Sequence, residues 1–188
     1  MTVCNTSHFR VVFAGLTAAL FWCLMAITTP TQATPEQDNL FEALKNATNE
    51  EEASKIEDAI WRSWLDQAPT PEIRQKVDSA MRKRGSYDFA GAKELLDDVV
   101  SEAPDYSEGW NQRAFILFLQ GNYEASLEDI EKALALEPRH FGALSGRAII
   151  FMTLGRVQLG QEALKEAIEI HPFLKERDML IKPQGADL

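Results

Sequence analysis

Three prolines, Pro104, Pro138 and Pro172, stand 34 residues apart, and the residues between them keep that period. Arg113-Ala114 returns as Arg147-Ala148, Gly121 as Gly155, Glu128 as Glu162 and Ala133 as Ala167. Apolar character persists where identity does not: Trp110 with Leu144, Phe115 with Ile149, Leu117 with Phe151, Ile130 with Leu164, Leu136 with Ile170. A fixed period of this size marks a repeat array, in which each unit cannot bury its apolar face alone and stacking supplies the core.

Within each period the pattern is helical. Ser107 is expected to cap a helix over WNQRAFILFLQ, with Trp110, Ala114, Leu117 and Phe118 on one face and Gly121 ending it. Asn122 is expected to cap a second helix, YEASLEDIEKALALE, where Leu127, Ile130 and Ala133 share a face and Pro138 follows the end. The next period repeats the plan around Gly155 and Pro172. Residues 73–106 carry a weaker copy: Ser79-Ala80, Ala92, Leu96 and Pro104 remain, but Lys76 replaces the large aromatic and Tyr87 the glycine.

These positions resemble the tetratricopeptide repeat, whose pattern is W-x2-L-G-x2-Y, then A-x3-F, then P. Residues 107–140 show Trp110-x2-Arg113-Ala114-x2-Leu117, Ser126-x3-Ile130, Ala133 and Pro138. Residues 141–174 show Leu144-x2-Arg147-Ala148-x2-Phe151, Gly160-x3-Leu164, Ala167 and Pro172. The resemblance implies an all-α helix-turn-helix solenoid. Its expected parts are a signal peptide or anchor (1–33), an N-terminal helical cap (34–72), a degenerate repeat (73–106), two full repeats (107–140 and 141–174), and a C-terminal capping helix with tail (175–188). Arginine at the family's leucine position is a departure. Arg113 either reaches Asp129 on the facing helix or points to solvent, and Ala163 stands at the equivalent of Asp129 in the next period.

The flanks read as further helices. Asp38 to Ala47 fits a short one, and Thr48-x-x-Glu51 is expected to form a capping box opening a second, to about Gln67. Ile56, Ala59, Ile60 and Trp64 would share its buried face, and Thr70-Pro71 would start the next helix. This hairpin is expected to pack on the first repeat. Phe173 to Ile181 reads as a closing helix, with Pro183, Gly185 and Leu188 in a tail.

Arg10, the apolar run Val11 to Ile27, Pro30 and the small-residue site Thr31-Gln32-Ala33 together read as a secretory signal cleaved after Ala33. The run exceeds the usual signal core, so an uncleaved membrane anchor over residues 11–29 is the alternative. Either reading places the remainder outside the cytoplasm, in the periplasm or anchored facing it. Both cysteines, Cys4 and Cys23, fall in this segment, which leaves a thiol-free remainder suited to an oxidising compartment.

Lys and Arg total 19 against 29 Asp and Glu, a net charge of −10, which argues against sequence-independent nucleic-acid binding. No HExxH, GxSxG, P-loop or CxxC pattern occurs, and His140 and His171 stand apart in turns. The expectation is a non-enzymatic chain with no cofactor and no metal site.

The resemblance further implies that first helices line a concave binding surface. Carried over, the groove positions are Val77, Met81 and Arg84, then Asn111, Phe115 and Phe118, then Ser145, Ile149 and Met152. The set is largely apolar, which suits a peptide or helix as ligand. Helical spacing alone leaves Phe115, Ile149 and Met152 open between groove and core. Asn111 and Ser145 are the residues expected to bond an extended backbone. The set lacks the row of Lys and Asn with which chaperone-binding members resemble a carboxylate clamp. Residues 73–85 are basic and residues 86–108 acidic, either to steer a charged partner or to pair internally. The function so implied is binding of a peptide or protein segment; the alternative is an anchored or self-associating scaffold of an envelope complex.

Overall fold

The computed structural model describes Met1 and residues 35–181. The expected signal segment, its cleavage site after Ala33, both cysteines and the tail from Pro183 lie outside those residues. Among the described residues there are eight α-helices, one 3-10 turn (Lys175–Met179) and no strand. The helices are α1 (Pro35–Lys45), α2 (Glu50–Asp66), α3 (Pro71–Gly85), α4 (Phe89–Glu102), α5 (Ser107–Leu119), α6 (Tyr123–Leu136), α7 (Phe141–Thr153) and α8 (Val157–Ile170). None is long and apolar enough to cross a membrane.

Helices α3/α4, α5/α6 and α7/α8 form three hairpins stacked in chain order. Each turn needs one residue in the left-handed region, because the chain must reverse between two right-handed helices. Gly121 (φ 77°) and Gly155 (φ 74°) supply it without a Cβ, and Tyr87 (φ 62°) occupies the same place in the first hairpin. Ala80, Ala92, Ala114, Ala133, Ala148 and Ala167 are all buried, and their small side chains allow the helices to approach. The Trp110 indole packs at the start of its hairpin and donates to the Pro104 carbonyl at 2.8 Å. Arg113 meets Asp129 through two bonds of 2.7 and 2.8 Å and Asp97 through one of 3.0 Å, so it is tied inward and not left in solvent.

Several helix starts differ from expectation. Ser107 is the first helical residue of α5, and Tyr106 precedes it without a side-chain cap. Asn122 occupies the cap position of α6 but makes no capping bond. The box before α2 starts one residue late: Asn49 accepts the Glu52 N–H at 2.9 Å, and Glu52 accepts from the Thr48 N–H and hydroxyl at 2.9 Å each. The shift lets Asn49, a strong N-cap residue, take that role and sets three glutamates in the positive first turn.

The N-terminal hairpin does more than cap the first repeat. Helix α2 runs across the whole array along the edge where α5 and α7 begin. The Tyr106 hydroxyl donates to the Leu65 carbonyl at 3.3 Å, Trp64 stacks on His140 at 3.9 Å, Glu57 meets His171 at 3.2 Å, and Glu50 pairs with Arg177. Its 17 residues reach about 25 Å at the helical rise, enough to span three stacked hairpins. The driving force is apolar: Phe41, Leu44, Ile60 and Trp64 share one buried cluster with Phe141, Leu144, Leu164 and Leu174. The expected closing helix at 173–181 is only the 3-10 turn, none of whose residues is buried. Helix α1 already packs against α8, and Met179 and Ile181 are left exposed.

Candidate binding groove

A groove of about 360 Å³ lies between the first helices of the three hairpins and α2. Met81 and Arg84 enter it from α3, Asn111, Phe115 and Phe118 from α5, and Ser145 and Ile149 from α7. Phe115 is 44% exposed, so it is a groove residue and not core. Its ring stacks beside Phe118 at 6.4 Å and 11°. Met81, Phe118 and Ile149 are half-buried.

Two expected groove residues lie elsewhere. Val77 is fully buried with Ile73, Ala80 and Leu96, because the end of α2 brings Leu65 and Ala68 against that cluster. Met152 turns toward α8, where Gln161 Nε2 contacts its sulfur at 3.5 Å and Gly160 leaves room for its chain.

Residues outside the expected set add to the lining, among them Trp61 and Leu65 of α2, Glu108 and Gln112 of α5, and Glu176 beyond α8. For Trp61 alone the sequence holds a signal that the repeat pattern passes over. Gly142 sits inside a helix, and a Cβ there would come within 2.5 Å of the Trp61 ring. Glycine at that position is what allows α2 to lie against α7.

The polar floor is built on Glu108, which is fully buried. It accepts from Gln112 at 2.6 Å, from Asn111 at 3.1 Å and from His140 Nε2 at 2.9 Å. The histidine tautomer follows from its other nitrogen. Nδ1 accepts the Ala143 N–H at 3.2 Å as the cap of α7, so the proton sits on Nε2 and is donated to Glu108. Three donors offset the cost of burying the carboxylate. The Asn111 amide is therefore committed to the floor, and the Ser145 hydroxyl donates to the Gly142 carbonyl at 3.2 Å. The Ser145 proton and one of the two Asn111 N–H groups are thus bonded within the protein, and both residues are buried.

Above this floor, Arg84 donates to Gln112 at 2.8 Å and lies over the Phe115 ring at 4.9 Å. Burial lowers its pKa, and the nearby Glu108 charge opposes the shift. The charge asymmetry of the first hairpin is largely consumed within it and against the end of α2. Lys76 pairs with Glu102 at 2.7 Å and Asp98 at 3.3 Å, Lys83 with Asp88 at 2.6 Å, and Arg74 with Asp66 at 2.6 Å and Asp78 at 3.0 Å. Among the described residues, Arg82 and Arg84 are the basic side chains of 73–85 that have no carboxylate in ion-pair contact.

Comparison with known proteins agrees with this architecture. The tetratricopeptide repeat family model matches residues 107–140. A TPR repeat-containing protein of Rhizobium etli is 38% identical over 144 residues, covering 74% of this chain and 69% of that protein. The first TPR of Spaghetti (RPAP3), solved bound to the HSP90 peptide SRMEEVD, superposes with a TM-score of 0.56 at 15% identity, over 58% of this chain and 87% of that one. The Sgt2 TPR domain from Aspergillus fumigatus gives 0.53 at 20% identity, over 64% and 91%. At these identities the solved structures speak to the fold alone.

Proposed function

The chain belongs to the tetratricopeptide repeat family, and from that premise we propose that it is a non-enzymatic interaction module holding a peptide or protein segment in its concave groove. The observation that carries this reading is the Phe115–Phe118 pair, two stacked rings facing an open groove with Met81 and Ile149 beside them. Covering such a surface contributes roughly 25 cal/mol per Å² of apolar area before the costs of association. The Spaghetti module binds its peptide on the same fold. Among the described residues Arg84 is the one basic side chain lining the groove, so recognition rests on apolar contact more than on a row of cations. We further propose export, with residues 1–33 as its address, on the strength of the apolar run and the Thr31-Gln32-Ala33 site.

The test is the double variant F115A/F118A in crosslinking capture from the native envelope fraction. Partner capture is expected to fall while helical content by circular dichroism stays at the parent value. Loss of helical content would mean that these rings are core. The intact mass of the natural protein tests export separately: Thr34–Leu188 supports a cleaved signal, and retention of residues 1–33 supports the anchored scaffold.

A further inference from the structure

Among the described residues, the charged side chains that are at least partly withdrawn from solvent meet an opposite charge or a hydrogen-bonding set of donors, with two exceptions that line one groove. Arginines 74, 113, 139, 147 and 177 are partly withdrawn from solvent, and each meets a carboxylate. Arg84 is equally withdrawn and meets none among the described residues; its one hydrogen bond goes to the neutral Gln112. On the acidic side, Glu57 meets His171, Glu137 meets Arg139, and Glu108 has its three donors. Glu176 is half-buried, and among the described residues no basic group is in ion-pair contact with it. Arg84 belongs to the first hairpin and Glu176 follows the third, yet both line the same groove. The groove thus carries apolar side chains above its Glu108 floor, with a cation from the first hairpin and an anion from beyond the third, neither of them in ion-pair contact among the described residues.

The form of the ligand follows from the hydrogen bonds. An extended peptide needs donors and acceptors from the groove wall for its backbone. Asn111 and Ser145 are buried, with one Asn111 N–H held by Glu108 and the Ser145 proton by the Gly142 carbonyl, so this wall offers an incoming backbone few free donors. A helix satisfies its own backbone and asks only for an apolar surface and matching charges. We propose that the occupant is an amphipathic helix of a partner protein, carrying an acidic side chain where it meets Arg84 and a basic one where it meets Glu176. This rests on the groove-binding reading above and deepens it. Arg84 would then act as a specificity residue: its ring-stacked guanidinium is held in place before the ligand arrives.

The experiment uses the full chain and three fluorescein-labelled helical peptides with one apolar stripe. One has Glu near one end and Lys near the other, one has Glu at both ends, and one has Lys at both ends. Fluorescence anisotropy with the parent protein is expected to favour the Glu/Lys peptide by about tenfold, the scale of a partly desolvated charge pair. Arg84→Glu should shift the preference to the Lys/Lys peptide, and Glu176→Arg should shift it to Glu/Glu. The double variant R84E/E176R should restore the Glu/Lys preference, since the peptide can reverse. Arg84→Gln, a milder change, should lose the discrimination without gaining a new one. An unchanged ranking in these variants overturns the proposal, as does failure of all three peptides to bind the parent. Equal or tighter binding by a proline-interrupted peptide of the same composition overturns the helical form. Binding that survives F115A/F118A would instead remove the groove reading itself, which separates the two failures.

Discussion

Trp64→Ala tests the main structural finding, that the first hairpin is tied to the last. Trp64 is fully buried and touches four rings: His140 at 3.9 Å, Phe141 at 5.0 Å, Trp61 at 5.1 Å and Phe41 at 6.0 Å. Its indole N–H is buried without an acceptor, so truncation loses no hydrogen bond. The cost is lost apolar burial plus the cavity left among rigid rings, about 3–5 kcal/mol. For a chain of this size that is a fall in Tm of about 6–20 °C. Trp64→Phe should cost far less, because the smaller ring leaves a gap but removes an unsatisfied donor. Urea unfolding followed by circular dichroism measures both. Hydrogen exchange then locates the damage. In an array held only by nearest neighbours, a defect in α2 would loosen α3 and α4 first. Here the Trp64 cluster is shared with Leu144, Ala148, Leu164 and Ala167, so protection should fall in α7 and α8 more than in α4. A loss confined to α1–α3, with α8 at parent protection, would refute the reasoning, and so would a total cost below about 1 kcal/mol.

Three further outcomes follow from named contacts. Tyr87→Gly should raise stability by about 1 kcal/mol, because Tyr87 is 83% exposed and holds a left-handed conformation that glycine adopts freely; a thermal melt reads the gain. Asp129→Ala should cost about 2–3 kcal/mol in urea titration, below the full figure for a broken buried pair because Arg113 keeps Asp97. The Glu57 carboxyl is held below its usual 4.5, chiefly by the hydrogen bond from His171. Its contribution is therefore complete above the ordinary carboxylate range and is lost as pH falls through the lowered folded value. Unfolding midpoints between about pH 3 and 6 should fall on acidification, and Glu57→Gln should flatten that slope.

The repeats were legible in the sequence because each solves the same local problem with the same residues. Even the degenerate first copy obeys: Tyr87 takes up the left-handed geometry of Gly121 and Gly155, and Pro104 closes its hairpin as Pro138 does the next. What the period cannot carry is anything decided by a segment that does not repeat. Val77, Asn111 and Ser145 are equivalent positions, yet the end of α2 covers Val77 while the other two line the groove. His140 stands apart in the sequence and lies 32 residues from Glu108; only the packing of α5 beside α7 joins them. The one visible trace of α2's path was Gly142, a glycine inside a strong helical pattern whose reason is the Trp61 ring above it. Closure has a consequence for binding. A solenoid free at both ends flexes, and its groove widens or narrows with its curvature. Here α2 touches the array at Tyr106, His140 and His171, one place on each hairpin boundary, so the curvature is set before a ligand arrives. Less ordering is then left to be done on binding, and discrimination passes to the fixed positions of Phe115, Arg84 and Glu176.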